Sequence, residues 1–149
     1  MRRLSSSGCS IDDVPALEKI HNAICLDRTG FVVVSHMITH EGETSNLILT
    51  LQGEGGVSEL KETLRLKDGS DDEVFYGSVV DSGVPKHFIC IGAKVGALRR
   101  GRASMHKSYV YGILEGCKGE FVWTTADLVE GEGDGELGLA SINRDEIKR

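Results

Sequence analysis

Aromatic side chains are scarce. They make up 5% of the 149 residues, so the core has to be assembled from Val, Ile and Leu. Long apolar runs are missing too: no stretch approaches the roughly 20 residues of a membrane-spanning helix. Arg2 and Arg3 are followed by no apolar segment of the kind a secretory signal carries. Four cysteines occur, at 9, 25, 90 and 117, with no CxxC pair and no histidine at zinc-ligand spacing. That pattern excludes a disulfide framework and a zinc module. Cys25, Cys90 and Cys117 are expected as buried free thiols in a reducing, cytoplasmic setting. Excess basic charge is also lacking, and a net charge of −6 argues against a general nucleic-acid binder.

What is present suits one globular domain, with 40% hydrophobic and 27% charged residues. The charge is unevenly placed. Between Lys94 and Lys107 stand Lys94, Arg99, Arg100, Arg102 and Lys107 without an acid, a local +5 that leaves −11 for the rest of the chain's −6. Either an anionic partner or a solvated helix face accounts for such a patch.

The hydrophobic pattern gives an element order α-β-β-α-β-β-α-β-α, with residues 1–10 as a flexible tail, 11–146 as the domain and 147–149 as a C-terminal tail. Ser10-Ile11-Asp12-Asp13 resembles a capping box that opens a helix with Val14, Leu17, Ile20 and Ile24 on one face. Phe31–Thr39 is Val-rich and apolar on both faces, hence a central strand. Residues 40–45 form a turn, and 46–52 a strand alternating Leu47, Leu49 and Leu51. Ser58 then caps a short helix with Leu60 and Leu64 inward. Strands follow at 73–80 and 86–91. The longest helix spans 97–115, with Leu98, Met105, Tyr109 and Ile113 as its core stripe. A short strand Glu120–Thr124 precedes a last segment whose glycines 131, 133, 135 and 138 weaken a helix. The fold class is therefore α+β: a single-domain mixed sheet of about five strands sandwiched by helices.

No catalytic constellation stands out. His36 and His40 are four residues apart on a strand and its edge, where an ordinary histidine role outweighs a metal pair. The acids Asp127, Glu130, Glu132, Asp134 and Glu136 lack calcium-loop spacing. Residues 92–101 run from a strand into a helix, as a phosphate-binding loop would, but fit neither GxGxxG nor the Walker spacing. The chain is expected to be no enzyme and to use no cofactor or metal. On the long helix, Arg100 and Lys107 share a face with Ser104 between them, and the small residues Gly101, Ala103 and Ser104 would let a partner approach closely.

The run from Lys86 to Ser108, KHFICIGAKVGALRRGRASMHKS, resembles the strand, loop and long helix of the cofilin and coactosin family, the actin-depolymerising-factor-homology proteins. Within it, Val-Gly-Ala-Leu-Arg-Arg-Gly-Arg from Val95 to Arg102 is most similar to coactosin, and Glu-Phe-Val-Trp-Thr resembles the strand that follows. The element order matches from about residue 11 to 146, the first half by pattern alone. The resemblance implies a cytoplasmic, cytoskeletal, monomeric protein that binds the side of actin filaments, with monomeric actin as a second candidate. By position it implies that Lys94, Arg99, Arg100, Arg102 and Lys107 contact actin. Lys86 resembles a filament-binding lysine at the start of the fourth strand, although the loop to the helix is about two residues shorter here. Coactosin-like chains have a lysine-rich final helix; the matching stretch here is acidic and glycine-rich, with Arg144, Lys148 and Arg149 near its end. A phosphoinositide or acidic protein on the same fold, or a phosphate-ligand enzyme using residues 92–101, are the alternatives. Arg2-Arg3-Leu4-Ser5 resembles a basophilic kinase target.

Overall fold

A computed structural model describes residues 3–4 and 10–128, with side chains from Ile11 onward. The elements are β1 (Arg3–Leu4), β2 (Ser10–Ile11), α1 (Val14–Asp27), β3 (Phe31–Thr39), β4 (Gly42–Gly53), α2 (Val57–Leu66), β5 (Val74–Asp81), β6 (Val84–Ile91), α3 (Ala97–Ile113) and β7 (Glu120–Thr124). Short 3₁₀ turns occupy Ser70–Asp72 and Thr125–Leu128. The sheet order is β1-β2-β4-β3-β5-β6-β7. Its five longer strands form the expected mixed sheet: β4-β3-β5-β6 is antiparallel, and β7 adds parallel to β6. Arg3–Leu4 and Ser10, expected in a tail, pair as a small ladder that continues beside β4. Of the last expected segment only the 3₁₀ turn Thr125–Leu128 is described; residues 129–149, with Arg144, Lys148 and Arg149, lie outside the described residues, as does Ser5.

Two apolar layers hold the sheet. On one face, α1 and α3 bring Val14, Leu17, Ala103, Val110 and Ile113 onto Val32, Val34, Tyr76 and Ile89. On the other, Leu60 and Leu64 of α2, with Leu128, cover Phe31, Val33, Phe75 and Phe88. Each fully buried Leu of this kind contributes about 1.5–3 kcal/mol relative to exposure. A register shift between Val33 and Val34 leaves Thr50 unmatched in β4, so Leu47 and Leu51 face opposite layers. The simple alternation read for Leu47, Leu49 and Leu51 ends at that bulge.

Several local readings are corrected. The α1 cap is Asp13, whose carboxylate accepts from the Ala16 N–H at 3.0 Å; Ser10 is in β2. Gly56 caps α2 and Ser58 lies inside the helix. The turn between β3 and β4 is shorter than 40–45, because β4 already starts at Gly42. Cys90 is buried, but Cys25 and Cys117 are half-buried; all three are free. Burial pushes the Cys90 and Cys117 thiols up to about 12, so they stay protonated at neutral pH.

Candidate functional site

The helix α3 is aimed by the loop before it. Gly92 passes so close to the Ser70–Asp72 turn that a Cβ there would lie 2.2 Å from the Asp71 carbonyl. Four successive backbone N–H groups are engaged internally. Gly92 donates to the Glu73 carbonyl at 2.8 Å, Ala93 to Thr125 Oγ1 at 2.9 Å, Lys94 to the Asp71 carbonyl at 2.8 Å and Val95 to the Gly92 carbonyl at 3.0 Å. A phosphate cradle needs such groups free. This stretch is a structural strap.

The buried face of α3 is Ala103, His106, Val110 and Ile113. Leu98 and Met105, expected in the core stripe, are 70% and 55% exposed. Apolar side chains stand on two flanks of α3, and the flank with Val110 and Ile113 is the one turned to the sheet. Ala103, expected among the small residues open to a partner, is instead buried against the sheet together with His106. Gly101 and Gly112 lie in the helix interior with nothing within 4 Å of where a Cβ would be. A helical glycine costs about 1 kcal/mol relative to alanine, and here no internal packing requires it. Gly101, Ser104 and Ser108 are exposed and small, flanked by Leu98, Met105 and Arg102.

The seven residues assigned from sequence divide by what holds them. Arg99 grips the frame: its guanidinium takes both Glu43 oxygens, at 2.6 and 3.3 Å, and donates to the Asp72 carbonyl at 2.7 Å. Arg100 Nε donates to the Val95 carbonyl at 3.0 Å. Lys107 pairs with Glu120 at 2.8 Å, and Lys86 pairs with Asp81 at 3.0 Å while sitting over the Phe121 ring. Lys94 and Arg102 are exposed and, among the described residues, have no carboxylate within ion-pair distance. Ser104 is exposed on the same helix. Arg100 and Lys107, seven residues apart on α3, share a flank, and both heads are turned to partners within the molecule.

Three histidines are buried under α3 and α1; the ordinary, non-metal role expected for His36 holds, and His21 gave no signal in the sequence. His36 Nδ1–H donates to the Thr44 carbonyl at 2.9 Å, so Nε2 accepts from the Tyr76 hydroxyl at 3.0 Å. His106 packs against it, and its Nδ1 is buried with no hydrogen-bond partner among the described residues. His21 joins Ser78 Oγ and the Glu115 carbonyl, both at 2.7 Å. Burial lowers all three imidazoles below their ordinary range. His40 is exposed, and among the described residues no group of three or more His, Cys, Asp or Glu is placed to hold a metal. No helix among them is long and apolar enough to cross a membrane.

The architecture has known counterparts. An actin-depolymerising factor from Toxoplasma gondii superposes with a TM-score of 0.58 at 14% identity, over 84% of this chain and 98% of that one. Human coactosin-like protein gives 0.58 at 17% identity, over 85% and 94%. Mouse coactosin, an actin filament binding protein, gives 0.52 at 19% identity, over 79% and 82%. This chain has the actin-depolymerising-factor-homology fold. No protein-family model and no curated protein matches the sequence, so the likeness is one of architecture. In this chain α3 is the long helix, and its outer face combines the exposed apolar Leu98 and Met105, the cation Arg102 and Gly101.

Proposed function

We propose that this protein is a non-enzymatic actin-binding module that docks on the side of actin filaments through the outer face of α3. The observation that carries the reading is that face itself. Gly101 offers open backbone, Leu98 and Met105 are exposed beside it, and Arg102 on the helix and Lys94 in the loop before it are cations with no carboxylate partner among the described residues. Small residues admit a partner's backbone closely, apolar flanks supply buried area, and unpaired cations steer an acidic surface. The fold's counterparts support the choice of partner, since one of them is an actin filament binding protein.

Of the seven site residues, Arg102 and Lys94 make the direct charge contacts and Ser104 lies within the docking face. Arg100, Lys107 and Lys86 contribute once their internal partners are displaced, and Arg99 sets the pose of the helix. Co-sedimentation with filaments tests this. Wild type is expected to pellet at low salt and to release as salt rises, because charge attraction decays over about 8 Å at physiological ionic strength. Lys94→Ala with Arg102→Ala should weaken pelleting about tenfold, or about 1.4 kcal/mol. Lys19→Ala with Lys61→Ala, on α1 and α2, should leave it unchanged. No pelleting at low salt sinks the reading, and equal losses in both pairs reduce it to diffuse charge.

A further inference from the structure

Glu120 opens β7 at the edge of the sheet and faces the flank of α3. One of its oxygens, Oε2, accepts from two residues of that helix: Lys107 Nζ at 2.8 Å and the Tyr111 hydroxyl at 2.7 Å. The Tyr111 ring is itself fixed, stacked on His87 at 3.9 Å between centroids and 8° from parallel. His87 Nε2–H donates to the Leu114 carbonyl at 2.6 Å. Lys107 also lies 5.7 Å from the Tyr111 centroid, so its ammonium is held between a carboxylate and a ring face. Burial alone would raise the Glu120 carboxyl, but the hydrogen bonds from Lys107 and Tyr111 outweigh it and hold the group below the usual carboxylate range. Glu120 is therefore charged at neutral pH. A carboxylate in this position neutralises the last cation of the +5 segment from within the molecule.

We infer that Glu120 is an internal competitor for Lys107, so that an acidic partner docking on α3 has to exchange the Lys107–Glu120 pair for its own carboxylate. The inference rests on α3 being the actin-facing helix. It predicts an outcome opposite to simple loss of a contact: removing Glu120's charge strengthens binding. Pairs this close to solvent are individually modest, so Glu120→Gln is expected to raise filament affinity two- to fivefold, a factor of about 2 to 5 drawn from that range. Tyr111 and His87 act only through the position of Glu120 and Lys107.

The experiment compares wild type, Glu120→Gln, Lys107→Met and the double variant in filament co-sedimentation. Glu54→Gln, an exposed acid beyond β4, controls for net charge. In parallel, acetylation of Lys107 by acetic anhydride, measured by mass spectrometry against Lys94 in the same sample, reports how far Glu120 shelters the amine without any actin present. Glu120→Gln should speed Lys107 acetylation and raise affinity beyond Glu54→Gln, and the gain should vanish in the Lys107→Met background. A gain equal to that of Glu54→Gln, a gain that persists without Lys107, or a loss of affinity overturns the proposal. Unchanged Lys107 acetylation also overturns it, whatever the pelleting shows. Faster acetylation with no gain in pelleting overturns the competitor role and leaves the actin reading standing. Failure of the wild type to pellet at low salt removes both.

Discussion

The imidazole of His106 on α3 lies 4.9 Å, centroid to centroid, from that of His36 on β3. The two rings join the candidate docking helix to the sheet. They are neutral in this arrangement, because His36 is fully hydrogen-bonded as a single tautomer and both rings are buried. Around them stand Glu43 and Arg99, which pair with each other, Arg102 and the Tyr76 hydroxyl.

That relationship sets an acid limit on stability. Burial lowers the folded pKa of His21, His36 and His106 below the unfolded value of about 6.5. With folded values depressed, the unfolded chain binds more protons, and stability present above about pH 6.5 is lost as pH falls toward the folded values. Each histidine adds a slope of at most about 1.4 kcal/mol per pH unit in that window. Melting curves between pH 8 and pH 5 should show this loss, with a shallower slope in His106→Leu. A slope unchanged by His106→Leu refutes the assignment.

Gly101→Ala should separate folding from binding. Its Cβ position is open, so the substitution should stabilise the helix by about 1 kcal/mol and raise the melting temperature by a few degrees. The same methyl would stand in the docking face, and filament affinity should fall at least about threefold, near 0.7 kcal/mol. Higher stability with undiminished pelleting would place the docking face elsewhere.

Arg99 and Arg102 are three residues apart and should behave differently. Arg99→Ala removes the bonds to Glu43 and the Asp72 carbonyl and should cost about 1–2 kcal/mol of stability. Arg102→Ala removes an exposed cation with no carboxylate partner among the described residues, so stability should stay within about 0.5 kcal/mol while pelleting weakens. Denaturant titration beside co-sedimentation distinguishes them; matching profiles for the two variants would contradict the division of roles.

The helix caps give a fourth comparison. Asp13→Ala should cost about 1 kcal/mol, because its carboxylate caps the Ala16 N–H. Ser58→Ala should be near neutral, since Gly56 occupies the cap position of α2. Urea midpoints for the two proteins decide this, and a larger loss for Ser58→Ala would be inconsistent with the cap geometry.

What the sequence determined by itself was the class of elements and their order. Apolar periodicity depends on local geometry, so the strands at Phe31–Thr39 and Glu120–Thr124 and the inward Leu60 and Leu64 were legible before any packing was known. The basic segment and the resemblance of residues 86–108 likewise pointed to the long helix. The tertiary structure alone decided which way that helix faces. Leu98 and Met105 have the same spacing as a core stripe, yet His106 and Ala103 pack inward because the sheet below offers Tyr76 and His36 at that place. It also decided which cations are free. Arg99 and Lys107 of α3 are neutralised by Glu43 of β4 and Glu120 of β7, and Lys86 of β6 by Asp81 of β5, so every acid comes from a different element than its cation. Charge counting along a chain cannot see such pairs, because an ion pair depends on distances of a few ångströms that only the folded sheet creates.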